Sequence, residues 1–154
     1  MIDRFEQFYA SVSCIYHSIQ KIERLEMAKY GLKGPHAQCL LAMARHPEGV
    51  TAARLCEICE KDKAAVSRTL GELESAGMVI CSDAAGKRYR SKLTLTDNGR
   101  EVADNVRQLV NIAVSQASVG YGPDERQTFV NVLGMIAENL QTLSTDGIMT
   151  KKEG

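Results

Sequence analysis

Four cations stand close together in the second half of the chain, in the segment DAAGKRYRSK. They are Lys87, Arg88, Arg90 and Lys92. Such a cluster can neutralise several phosphates of a nucleic acid or place an arginine in a narrow minor groove. Strand-like runs, MVICS and SKLTLT, flank the stretch DAAGKRYR, whose Ala-Ala-Gly is typical of a turn. We therefore predict a basic β-hairpin, for which simple solubility is the alternative explanation.

A helix that precedes this hairpin has a second set of side chains suited to DNA. Asp62 is a good N-cap, and the apolar residues Val66, Leu70 and Leu73 recur at spacings of four and three, which places them on one buried side. Gly77 stands where the helix should end. The opposite side is small, carries two cations and fits a major groove about 12 Å wide. The residues of that side are Lys63, Ala64, Ser67, Arg68 and Gly71. We expect Ser67 and Arg68 to reach base edges, although such a surface is often only a solvated helix face.

The order of these elements resembles the MarR family of bacterial winged helix-turn-helix repressors. The stretches that carry the resemblance are DKAAVSR (62–68), LESAGMV (73–79) and LTDNG (95–99), and the likeness extends to about Leu143. A helix capped by Thr51 and ending near Glu60 would be the first of the pair. The family usually has a glycine in the turn between the two helices, whereas this chain has Glu60 and Lys61. The resemblance implies a homodimeric repressor on a pseudo-palindromic double-stranded DNA operator.

Apolar stripes at both ends of the chain predict long helices. The first stripe runs from Ile2 to Lys29 and predicts a helix roughly 42 Å long at 1.5 Å per residue, longer than a small lobe can cover. Another helix is predicted from Thr96 to about Ser118, and a last one from Pro123. We therefore predict a mainly α fold with a small β-hairpin wing. The predicted parts are a winged helix-turn-helix lobe (35–95), a helical dimerisation region formed by the N- and C-terminal helices (1–30 and 97–143) and a polar tail (144–154).

The resemblance also implies a pocket for a small apolar or aromatic effector, where the dimerisation helices meet the lobe. The residues expected at its wall are Tyr16, His17, Cys39 and Met43. An effector that binds one dimer geometry better than another would change the spacing of the two recognition helices and release the DNA.

Five cysteines, an odd number, indicate reduced thiols rather than a disulfide framework. Cys14 in the first helix resembles the peroxide-sensing branch of the family, so a thiol-based redox regulator is an alternative function. A buried, inert thiol is the other explanation. Cys56 and Cys59 form a C-x-x-C within a helix, where we expect core residues. The histidines are not clustered with them, and no metal site is predicted.

Composition limits the function further. The 154 residues have a formal net charge of zero, so DNA affinity must come from local asymmetry of charge. The sequence has no apolar run that could span a membrane and no export signal, which predicts a cytoplasmic protein without a membrane partner. It has no phosphate loop, zinc-protease motif or nucleophile elbow, so we predict no catalytic residue, no cofactor and no enzyme activity. A winged helix used only for protein interaction is a further alternative, and its binding would not depend on salt.

Overall fold

The computed structural model describes residues 2–82 and 91–148, which contain six helices and two strands. The helices are α1 (Ile2–Ala28), α2 (Gly34–Ala44), α3 (Ala52–Cys59), α4 (Lys63–Ser75), α5 (Asp97–Ala117) and α6 (Pro123–Asp146), and the strands are β1 (Val79–Ser82) and β2 (Lys92–Leu95). The predicted fold, mainly α with a small hairpin, is confirmed. The chain divides into two compact units between Ala113 and Val114.

The core of the first unit is built from one face of each helix of the lobe. Leu40 of α2, Leu55 of α3 and Leu73 of α4 are fully buried. Val66 and Leu70 lie on the same side of α4 as Leu73, which confirms the spacing of four and three. The start of α5 adds a further buried face, which consists of Val102, Ala103 and Val106.

The two strands form an antiparallel pair in which Val79 faces Leu95 and Ser82 faces Lys92. A bridge that the sequence did not suggest extends this pair: Val50, just before α3, exchanges two backbone hydrogen bonds with Leu93, at 3.0 and 2.9 Å. The base of the hairpin is therefore fixed to the loop that leads into α3.

The turn between α3 and α4 forms without a glycine. Glu60 occupies it in the left-handed conformation, with φ 51° and ψ 43°, and is the one non-glycine residue of the described ranges with a positive φ. The amide of Lys61 donates to the carbonyl of Cys56 at 3.1 Å and closes the turn. Holding an L-residue in this conformation costs roughly 1–2 kcal/mol.

The side chain of Thr96 joins the end of one element to the start of the next. Its hydroxyl donates to the carbonyl of Gly77 at 2.8 Å and accepts from the amide of Gly99 at 3.0 Å. Its own amide donates to the carbonyl of Met78 at 3.0 Å. The predicted role of Thr96 as the cap of α5 is confirmed, and the same residue also holds the loop that follows α4.

The burial of helix α1 changes along its length. Its last turns pack on the lobe, where Met27 is fully buried, whereas Phe8, Val12 and Ile15 nearer the start are exposed in the single chain. No helix among the described residues combines the length and apolar character that crossing a membrane requires.

The second unit contains α6, which begins at Pro123 as predicted. Its apolar stripe consists of Phe129, Leu133, Ile136, Leu140 and Leu143, and α6 has no buried residue in the single chain. The helix continues through Ser144 to Asp146, so the first residues of the predicted polar tail (144–154) are helical, whereas residues 149–154 lie outside the described residues. The hydroxyls of Ser144 and Thr145 donate to the carbonyl of Gln141.

Candidate nucleic-acid interface

Helix α4 is fixed at both ends by local chemistry. The Asp62 side chain accepts a hydrogen bond from the amide of Ala65 at 2.8 Å, as expected of an N-cap. At the other end Gly77, with φ 70°, donates to Glu74, and the next amide, of Met78, donates to Leu73 at 2.9 Å. This pair of bonds is a Schellman motif. Gly77 therefore ends the helix as predicted, and the exposed face of α4 is held at a defined length.

The predicted DNA-facing residues of α4 lie on its exposed side. Lys63, Ala64, Ser67 and Arg68 are all exposed. Lys63 and Ser67 also line a groove of about 490 Å³ between α3, α4 and β2, together with Ala53 of α3 and Leu93 of β2. The structure thus brings two of the predicted side chains together with small residues of α3, which the sequence reasoning did not select.

Arg68 lies at a different groove, of about 330 Å³, whose lining includes Lys33, His36, Lys61 and Glu72. His36 is 3% exposed, and its Nε2 lies 2.6 Å from Oε2 of Glu72 on α4. This contact connects α2 to α4. The sequence did not predict this contact, although a histidine just after Pro35, at the start of a helix, is a signal for a capping role.

One cation of the predicted hairpin cluster belongs to the described residues. Lys92 is exposed on β2, and its Nζ lies 3.4 Å from the carbonyl oxygen of Glu48. Lys87, Arg88 and Arg90 lie outside the described residues, so their predicted contacts with phosphate or minor groove stay a prediction.

The four residues predicted for an effector pocket are divided between surface and core. Tyr16 and His17 are exposed on α1, with their rings edge to face and centroids 5.8 Å apart. Cys39 and Met43 are buried in the core.

Tyr16 lines a groove of about 430 Å³ that also holds Glu23 and Arg45. Cys39 lines the groove beside Arg68 instead. Their role in binding an effector stays a prediction.

The cysteines do not form a metal site in the described part of the chain, where no group of three or more His, Cys, Asp or Glu side chains is arranged to hold an ion. Cys14, the predicted redox residue, is exposed on α1. Cys56 and Cys59 are half-buried against the core rather than enclosed in it.

Comparisons with known proteins agree with this geometry. Residues 30–88 match the model of the MarR family. A Bacillus subtilis protein described as an uncharacterized HTH-type transcriptional regulator, YdgJ, is 26% identical over 104 residues, which are 68% of this chain and 63% of that protein.

Two solved structures show the same fold. A MarR protein of Staphylococcus aureus, in complex with salicylate and kanamycin, has a TM-score of 0.77 at 23% identity and covers 89% of this chain and 92% of its own. A MarR family regulator of Listeria monocytogenes, complexed with a 26mer DNA, has a TM-score of 0.75 at 16% identity and covers 92% of this chain and 97% of its own.

Proposed function

We propose that the protein is a repressor of the MarR type that binds a pseudo-palindromic DNA operator as a homodimer, and the match of residues 30–88 to the model of the MarR family supports this. The observation that carries the proposal is the exposed side of α4. It combines Lys63, Ser67 and Arg68 with the small residue Ala64, and it lies opposite the side that is buried in the core.

Each α4 enters a major groove, with half-sites about one helical turn apart. Ser67 and Arg68 contact base edges, because arginine can bond two acceptors of guanine at once. Lys63 positions the helix on phosphates. Lys87, Arg88 and Arg90 bind the flanking phosphates and minor groove. The likeness in fold to the Listeria monocytogenes protein solved with DNA supports this arrangement.

The dimer is formed by the first helix and the last two. Phe8, Val12 and Ile15 of α1 are exposed in the single chain, as is the stripe of α6 except for the half-buried Ile136. Continuous apolar surfaces of this kind favour association, and a second copy of the chain would bury them. In sedimentation equilibrium the protein should have the mass of a dimer, and replacing Leu133 and Leu140 by glutamate should lower that mass. A wild-type protein that stays monomeric at micromolar concentration would contradict the dimer.

The signal that releases DNA is a small apolar or aromatic effector. Tyr16, His17, Cys39 and Met43 contribute to its site, and the effector favours a dimer geometry that does not fit the operator. The Staphylococcus aureus protein was solved with salicylate and kanamycin, which supports a small-molecule signal in a chain of this fold. Salicylate is therefore the first effector to test.

The deciding experiment is fluorescence anisotropy with DNA fragments from upstream of the protein's own gene, across a salt series in reducing buffer. Wild type should bind with a steep salt dependence. Arg88→Ala should weaken binding to all fragments and reduce the salt slope by about one, whereas Arg68→Ala should also reduce the preference for one sequence. Arg107→Ala, which removes an exposed cation of α5 paired with Asp104, is the matched control and should bind as wild type does.

The outcomes separate the alternatives. If no fragment binds at low salt, the protein is an interaction module and the DNA assignment is wrong. If binding is lost on oxidation and this loss disappears in Cys14→Ser, the signal is an oxidant rather than a small ligand.

A further inference from the structure

A nearly buried carboxylate of α1 lies in a groove without a partner. Glu23 is 9% exposed, and within residues 2–82 and 91–148 its carboxylate forms no hydrogen bond and no ion pair. It lines the groove of about 430 Å³ whose wall also includes Tyr16, Arg45 and Lys61, and which we call the Glu23 groove. A molecule that enters this groove therefore meets a carboxylate that no group of the described chain neutralises.

Glu23 is buried because the last turns of α1 pack on the lobe. It lies one turn before Met27, which is fully buried, and residues four apart share one face of a helix. Glu26 is also buried on this part of α1, but it forms an ion pair with Lys29. No residue three or four positions from Glu23 is a cation. Of these two carboxylates, α1 itself therefore satisfies only one.

An unpaired carboxylate in such a position is unfavourable. Taking the charge out of water costs free energy unless a partner replaces the lost hydration, and this desolvation raises the pKa of Glu23 above its ordinary value. Buried polar groups of folded proteins nearly all have a hydrogen-bond partner. The exception at Glu23, together with a groove beside it, indicates a place that a ligand completes.

The chain has cations near Glu23 that do not pair with it. Arg45 and Lys61 line the same groove, both are exposed, and neither forms an ion pair with the carboxylate. Exposed charges are screened by water and salt, whereas a buried charge is screened much less. The negative charge of Glu23 is therefore the one that a bound ion would experience most strongly.

An aromatic ring lies on the same side of α1. Tyr16 precedes Glu23 by about two helical turns, which places the two residues roughly 10 Å apart along the helix axis at about 1.5 Å per residue. The Tyr16 hydroxyl accepts a hydrogen bond from Nε2 of Gln20 at 2.8 Å, which holds the ring beside the helix. An aromatic face attracts both apolar groups and cations. The volume of the groove also lies within the range of roughly 300–1,000 Å³ that is typical of small-molecule sites.

We propose that the Glu23 groove binds a small organic cation, a primary amine carried on an aromatic or apolar chain. The ammonium group donates hydrogen bonds to the Glu23 carboxylate, and the body of the molecule extends along α1 toward Tyr16. Of the four residues of the proposed effector site only Tyr16 lines this groove, and the amine site requires nothing of the proposed DNA binding. Glu60 and Lys61 also line the groove, so the bound amine lies against the turn into α4.

The test is isothermal titration calorimetry of the full chain at pH 7, without DNA, with phenylbutylamine as the ligand. Phenylbutanol, which has the same ring and chain but no charge, is the reference. We expect the wild type to bind the amine about tenfold more tightly than the alcohol, because a hydrogen bond to a charged group is stronger than one between neutral groups. Glu23→Gln keeps the size of the side chain, removes its charge and should abolish this preference.

Glu60→Gln is the matched control, because Glu60 lines the same groove but is exposed. It should bind the amine as the wild type does, whereas Tyr16→Leu should weaken the amine several-fold. Circular dichroism melts show whether each variant is folded. If Glu23→Gln binds the amine as tightly as the wild type, or if the wild type does not prefer the amine to the alcohol, the proposal is wrong.

A second measurement tests whether the partner of Glu23 is another copy of the chain. If the wild type does not bind the amine and Glu23→Gln lowers the mass in sedimentation equilibrium, the carboxylate serves the dimer and the amine site is refuted. Because the titration contains no DNA, this failure is distinct from a failure of operator binding.

Discussion

His36 of α2 and Glu72 of α4 are joined by a hydrogen bond of 2.6 Å between Nε2 and Oε2. Nδ1 of His36 accepts from the backbone amide of Lys33 at 2.8 Å, so the ring proton lies on Nε2 and is donated to the carboxylate. The imidazole is almost completely buried, whereas Glu72 is half-exposed. A single carboxylate therefore satisfies the buried donor and fixes α4 to the first turn of α2.

Removing this carboxylate should destabilise the lobe. We expect Glu72→Ala to lower the free energy of unfolding by about 1 kcal/mol, because a buried N–H of His36 loses its acceptor. Glu72→Gln keeps an acceptor oxygen and should cost less. Urea unfolding at pH 7 measures both, with Glu57→Ala, which removes an exposed surface pair with Arg54, as the near-neutral control. Equal stability of Glu72→Ala and wild type would show that the contact contributes nothing.

Gly99, in the first turn of α5, should not tolerate a side chain. A Cβ built there overlaps the backbone carbonyl of Met78, and neither backbone can move easily because Thr96 joins them. We expect Gly99→Ala to cost about 3 kcal/mol in thermal or urea unfolding. The matched control is Gly71→Ala in α4, where a Cβ has open space and alanine should stabilise the helix by roughly 0.5–1 kcal/mol. Similar effects of the two substitutions would contradict this difference.

A glycine in place of Glu60 should stabilise the protein. Because Glu60 holds φ at 51°, Glu60→Gly removes the steric cost of the left-handed conformation and should raise the free energy of unfolding by about 1 kcal/mol. Glu57→Gly, within α3, should have the opposite effect because glycine weakens a helix. A loss of stability in Glu60→Gly would mean that the glutamate side chain stabilises the turn.

Glu23 should make stability depend on pH. Its carboxyl is nearly buried, and desolvation raises its pKa above the ordinary value. An acid with a raised folded pKa binds its proton more tightly in the folded state, so its favourable contribution is present at low pH and is lost as pH rises through that pKa. Glu23→Gln should therefore melt at a higher temperature than wild type at pH 7, and the difference should shrink toward about pH 4. Glu6→Gln, on an exposed part of α1, is the control for losing a negative charge. A constant difference across this pH range would refute the assignment.

Local patterns predicted the helices and the exposed side of α4 well. The spacing of Val66, Leu70 and Leu73 fixes which side of α4 is buried, and the caps Asp62 and Thr96 act through residues only three positions away. Such features depend on residues that are close together in the chain, so they can be predicted from a single sequence.

Contacts between distant residues could not be predicted in the same way. Val50 meets Leu93, and His36 meets Glu72, because packing of the helices and the hairpin brings them together. Nothing in the local sequence of Val50 marks Leu93 as its partner. The left-handed Glu60 was hidden for a different reason: the closing of the core on both sides of the turn imposes a conformation that its residue type disfavours.

The hydroxyl of Thr96 has a mechanical consequence. It holds the carbonyl that follows α4 and the first turn of α5 at the same time, and the adjacent amide holds the base of the hairpin. Three hydrogen bonds at this one residue therefore join the three elements. A rotation of the first turn of α5 is therefore expected to move the end of α4 and the hairpin together.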